Sequence, residues 1–181
     1  MKNIIALPVL LSAAIVAVFL IEVILPGNLT WLGIRPRSIS GLPGILVSPF
    51  LHASLKHLLA NIVPLLIMGC LVSALAPALF ATRTVALVLF SGALTWLISS
   101  SGVVVGASGL VFAYWSFLIT NGFLRKSIKD VGIALLTFLI YGALIFGLFK
   151  FQYGVSWAGH FSGVVAGIFL AYLQRSSRNT K

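Results

Sequence analysis

The stretch VVVGASGLVFAYWSFLIT, residues 103–120, carries no charged side chain over a length sufficient to span a bilayer. It opens on small residues, Gly106-Ala107-Ser108-Gly109, and then turns bulky and aromatic. Such a run reads as a lipid-embedded helix with a polar beginning, and the rest of the chain repeats the pattern. Of 181 residues, 60% are hydrophobic and 8% charged, and the mean hydropathy is +1.16. Soluble domains carry about 25% charged residues, so this chain cannot cover a water-facing surface.

Six apolar runs are legible, at residues 4–25, 57–80, 84–99, 103–120, 131–149 and 155–173. Helices are required of them, because lipid offers open backbone groups no other partner. The third run is short, bounded by a connector at Arg83 and a Ser/Gly cluster at residues 99–102. The net charge of +10 arises from 12 Lys and Arg against two acids, Glu22 and Asp130. These cations sit in short connectors, which is topology signalling and lipid-headgroup contact. No basic stripe on a soluble fold accompanies them, so a nucleic-acid partner is not expected.

With the N-terminus in the cytoplasm, the inside segments hold Lys2, Arg83, Arg125, Lys126, Lys129, Arg175, Arg178 and Lys181. The outside segments hold only Arg35, Arg37, Lys56 and Lys150, in agreement with the positive-inside bias. The first run exceeds a usual signal-peptide core and lacks a small-residue cleavage site before Pro26, so it is read as a retained span. Between the first two runs lies a connector with four of the seven prolines, Pro26, Pro36, Pro43 and Pro49. It also carries Trp31, Leu32, Ile34, Leu42, Ile45, Leu46, Val47 and Phe50, which predict a compact lobe dipping into the interface rather than a linker.

Polar groups inside spans are costly and usually functional. The three histidines, His52, His57 and His160, all fall on the outer half, whereas Glu22 and Asp130 lie at opposite membrane sides. Paired-carboxylate chemistry and a Ser–His–Asp triad are thereby disfavoured. Hydroxyl plus imidazole remains. Ser108 stands where helix amides lack intrahelical acceptors and the dipole favours an anion. Gly106 and Gly109 admit close backbone approach there. The sixth run holds Gly159-His160-x-x-Gly163-x-x-x-Gly167, whose three glycines form one small-residue stripe with His160 leaning toward the same neighbour. The second run opens His57-x-x-x-Asn61, two polar groups on one helix face. His52 precedes it by five residues and supports the site through water. Each motif alone is compatible with packing or an interhelical polar clasp. Their agreement counts for more: spans two, four and six all run inward, so their polar beginnings meet at one depth.

Taken together, these residues resemble the rhomboid intramembrane proteases. The likeness covers His57-x-x-x-Asn61, Gly106-x-Ser108-Gly109 and Gly159-His160-x-x-Gly163-x-x-x-Gly167, the six spans and the long first loop. It implies an all-α, six-transmembrane-helix rhomboid bundle with a partly embedded first loop, in the minimal bacterial-type form, as one domain over residues 1–181. It further implies Ser108 as nucleophile, His160 as general base, and His57, Asn61 and the Ser108 amide as oxyanion hole. No metal or cofactor is expected. The implied partners are transmembrane protein substrates and membrane lipids; the implied place is the cell (inner) membrane, with both termini cytoplasmic and the site opening outward. Phe112 stands four residues after Ser108, where many members have tyrosine, and Tyr114 faces elsewhere. The adjacent Trp-Arg pair of some members is absent, with Trp31, Arg35 and Arg37 as interfacial substitutes. Two other readings are an inactive rhomboid-like binder of membrane clients and a small transporter or metal-handling protein. The second lacks a ligand set, since Cys70 is alone and His52 and His57 are badly spaced for one helical face.

Overall fold

The computed structural model describes residues 3–24, 29–100, 102–149 and 156–176. Among these residues seven α-helices follow in order: α1 (Ala6–Ile24), α2 (Gly44–Val47), α3 (Leu55–Leu75), α4 (Phe80–Ile98), α5 (Ser108–Arg125), α6 (Ile128–Tyr141) and α7 (Trp157–Ser176). Among the described residues there is no strand, only an isolated antiparallel bridge between Ile34 and Val104. Among the described residues four segments are long and apolar enough to cross a membrane: Ala6–Ile24, Leu55–Leu75, Pro77–Ile98 and Ile128–Leu148. α5 and α7 match them in length but are less apolar. The reason is position. Residues 110–118 of α5 are all buried, so this stretch of the helix is enclosed chiefly by protein, while Phe123 nearer its end is exposed.

α5 is the hub. Its closest partner is α7, and α3, α4 and α6 pack around it. The α5–α7 seam is made of small residues. A Cβ at Gly163 would fall onto the Gly109 carbonyl, and one at Gly167 onto Ser116 Oγ and the Ala113 carbonyl. Ser116 Oγ donates across the seam to the Val164 carbonyl at 2.9 Å. Here contact replaces the hydrophobic effect as the attraction between helices.

Helix boundaries depart from the apolar runs in instructive ways. Arg83, read as a connector residue, lies inside α4 and is 1% exposed. Its Nε donates to Gln174 Oε1 of α7 at 3.0 Å, Nη1 to the Val72 carbonyl at 3.3 Å, and the guanidinium sits over the Phe117 ring. The fourth run begins as irregular chain at residues 103–107, so the helix proper starts on Ser108. The fifth ends as a 3-10 segment, Gly142–Phe149. Leu25, which ends the first run, and Val155, which begins the sixth, lie outside the described residues, as do Lys2, Pro26, Lys150, Arg178 and Lys181.

The first loop is a compact lobe of 3-10 turns (Leu29–Leu32, Ile39–Gly41, Ser48–Phe50) around α2. α2 lies against α4, where Ile45 occupies the space a Cβ at Gly92 would need. Arg37 does not act as a free interfacial cation. Its Nη1 donates to the carbonyls of Leu97 (3.1 Å) and Ser99 (2.6 Å), and Nη2 to that of Ser100 (3.0 Å), which caps the α4 C-terminus. Trp96 Nε1 returns a bond to the Ser38 carbonyl at 2.9 Å.

Candidate active site

Ser108 is the first residue of α5 and half-buried. The chain reaches it by a turn that the first loop holds from both sides. Ile34 and Val104 exchange two backbone bonds of 2.9 Å, and the Gly106 amide donates to the Ser48 carbonyl at 2.9 Å. Gly106 has φ +108°, a region L side chains rarely adopt, and a Cβ there would stand 2.6 Å from the His57 ring. Glycine is needed on both counts. The Ala107 amide points at His52 Nε2, 3.4 Å away.

That contact requires His52 to be neutral at Nε2. Burial, reinforced by His57 at a ring-centroid distance of 5.0 Å, pushes its pKa down to about 4. His52 therefore accepts at neutral pH, and it meets the turn directly at the Ala107 amide.

α3 contributes His57 and Asn61. Ser54 caps the helix by accepting from the His57 amide at 3.1 Å. Asn61 is buried, and its Nδ2 donates to the His57 carbonyl at 2.8 Å. A Cβ on Gly106 would be 3.8 Å from Asn61 Nδ2. Both α3 side chains thus border the turn that delivers Ser108.

His160 lies in the first turn of α7, 9% exposed. Phe112 of α5 stacks on it with centroids 4.2 Å apart and planes 21° apart. Its Nδ1 is 3.2 Å from the Gly147 carbonyl. A carbonyl only accepts, so Nδ1 carries the proton and Nε2 keeps its lone pair. Gly159 and Gly163 bring the beginning of α7 against Gly109. Among the described residues no hydrogen bond joins Ser108 to His160; the two stand on facing helix beginnings.

A cavity of about 30 Å³ adjoins Ser108, Gly106 and Gly159, with Ser48, Ser91 and Thr95 on its wall. It has room for about two waters, far less than a peptide requires. Tyr114 is turned away from this end, its hydroxyl 2.6 Å from Thr84 Oγ1. No group of three His, Cys, Asp or Glu suited to a metal ion occurs among the described residues. Sequence reasoning did not find the Ser48 and Gly147 carbonyls. Both act through backbone, which leaves no signature in residue type.

An all-helical bundle with polar helix beginnings gathered at one end is the architecture of a multi-pass membrane protein. The chain belongs to the rhomboid family: the Rhomboid domain matches it over residues 40–177. It is 38% identical over 150 residues to an uncharacterized protein of Mycobacterium tuberculosis, covering 78% of this chain and 62% of that one. An uncharacterized protein of Mycobacterium leprae is 36% identical over 151 residues, with 78% and 59% covered. The chain thus spans about three-fifths of the length of the curated relatives it matches. Rhomboid-family proteins are generally intramembrane proteases.

Proposed function

We propose that this chain is an intramembrane serine endopeptidase that cuts membrane proteins within or beside a transmembrane segment. One observation carries the reading. Ser108 opens α5, its neighbour Gly109 lies against Gly159 at the beginning of α7, and the adjacent His160 holds Nδ1 toward the Gly147 carbonyl.

In this scheme Ser108 Oγ attacks the substrate carbonyl carbon while His160 Nε2 takes the hydroxyl proton. The carbonyl oxygen becomes an oxyanion, held by the Ser108 amide and by donors from His57 and Asn61. Collapse expels the amine, which receives its proton from the imidazolium. A water then repeats the sequence on the acyl-enzyme and frees Ser108. No acidic partner is needed, because Gly147 fixes the tautomer and Phe112 fixes the ring plane. The cavity beside Ser108 supplies room for the hydrolytic water.

The positive-inside bias supports termini in the cytoplasm of a cell-membrane protein, with the site opening to the other side. Removing buried Arg83 from the eight inside cations leaves seven against four, so the orientation does not depend on it.

Labelling of the reconstituted protein by a serine-directed fluorophosphonate tests the scheme. Label on the wild type, none on Ser108→Ala or His160→Ala, and loss of substrate cleavage in both are the expected results. Full cleavage by Ser108→Ala would overturn the serine mechanism, and a wild type that binds a transmembrane client without cutting it would leave the inactive-binder reading instead.

A further inference from the structure

Away from Ser108 there is a much larger cavity, about 540 Å³, between α5 and α6. It falls in the size range of sites for drug-sized molecules. α5 lines it with Trp115, Ile119 and Phe123, the cap of α5 with Lys126, and α6 with Ala134 and Phe138. Apart from Lys126 these side chains are apolar, so neither water nor a polar ligand suits it.

Its dimensions and its one charge identify a better occupant. Trp115 and Arg125, the last residue of α5, are ten residues apart, about 15 Å at 1.5 Å per residue, and Lys126 follows as the cap. That is roughly half of the 30 Å hydrocarbon thickness, the depth of one leaflet. At the mouth, Lys126 caps α5 with φ 56° and is exposed. The α5–α6 turn carries three cations, Arg125, Lys126 and Lys129, against one carboxylate, Asp130. Arg125 is committed to Asp130 at 3.9 Å and Lys129 Nζ to the Ala74 carbonyl. Lys126 has no such partner among the described residues. An apolar cleft one leaflet deep, with an unpaired ammonium at its rim, complements an acyl chain below an anionic headgroup.

We propose that the α5–α6 cleft binds a phospholipid with an anionic headgroup, from the leaflet on the α5–α6 turn side. One acyl chain lies along Phe123 and Ile119 toward Trp115, and Lys126 pairs with the headgroup phosphate. The site is separate from Ser108 and stands whether or not the protease reading does.

Trp115 supplies the probe, since brominated acyl chains quench a tryptophan they touch. Wild type and Trp115→Phe are reconstituted in phosphatidylcholine vesicles with increasing brominated phosphatidylglycerol or equally brominated phosphatidylcholine. The difference between the two proteins isolates the Trp115 signal. Half-quenching is expected at about fivefold less phosphatidylglycerol than phosphatidylcholine, the worth of one lysine at an anionic surface. Lys126→Gln is expected to equalise the two lipids, whereas Lys56→Gln, at the other end of the bundle, is expected to keep the preference. Retention of phosphatidylglycerol in native mass spectrometry, compared between wild type and Lys126→Gln, gives a second reading that needs no change at Trp115. Equal half-quenching by both lipids in the wild type, or a preference that survives Lys126→Gln, overturns the proposal. So does a Trp115 signal that lipid never quenches, or one that a reconstituted transmembrane substrate protects.

Discussion

Gly163→Ala should separate the two halves of the candidate site without touching either reacting group. The added Cβ would fall onto the Gly109 carbonyl and stand 3.0 Å from Phe112 Cβ. Neither neighbour can swing away, since one is backbone and the other the root of a buried side chain. Restoring ordinary contact distance requires α5 and α7 to part by about 1 Å. A displacement of that size between a nucleophile and its base costs about 100-fold in turnover, and overpacking costs about 1–3 kcal/mol of stability. Two further alanines isolate the cause. At Gly159 the nearest atom to a new Cβ is Ser156 Oγ at 3.3 Å, and at Gly132 nothing lies within 4 Å. The first should be mild and the second neutral or slightly stabilising, as expected of alanine in an open helix position. Cleavage of a reconstituted transmembrane substrate and fluorophosphonate labelling rate should be measured well below each variant's unfolding midpoint. Wild-type rates in Gly163→Ala, with the fold intact, would refute the idea that this seam sets the Ser108–His160 geometry.

Asn61→Ala should lower turnover about 100- to 1,000-fold while leaving a measurable remnant, because other oxyanion donors remain; steady-state kinetics on the same substrate will show it. Arg37→Ala removes the donors to three carbonyls at the end of α4 and just beyond it, and about 1 kcal/mol of stability should go with them, read as a lower unfolding midpoint. His52 has its pKa lowered from 6.5 to about 4 in the fold, so the unfolded chain binds a proton first on acidification. Stability should therefore fall as pH drops from 6.5 toward 4, and thermal melts of His52→Gln should show a shallower fall across that window.

The all-helical bundle was legible because charge-free runs of bilayer length leave the backbone no alternative. Runs two, four and six appear as α3, α5 and α7, with His57, Ser108 and His160 each near a helix beginning. Arg83 misled the boundary of the third run. A cation reads as a connector, yet Gln174, 91 residues away, receives it inside the bundle. The 3-10 stretch at residues 142–149 was equally hidden, since hydropathy does not distinguish it from α-helix. Arg37 looked like an interfacial charge because its partners are main-chain carbonyls from a distant loop. The first loop was read correctly as a compact lobe, and its pairing with Val104 and Gly106 was not readable from spacing.

The oxygen that faces His160 Nδ1 belongs to the peptide unit of Gly147. A carboxylate in that position could be deleted by one codon change or neutralised by acid, and a peptide oxygen can be neither. The imidazole's alignment is consequently inherited from where residues 142–149 sit, so damage to it must come through displacement of that segment and not through chemistry at the acceptor.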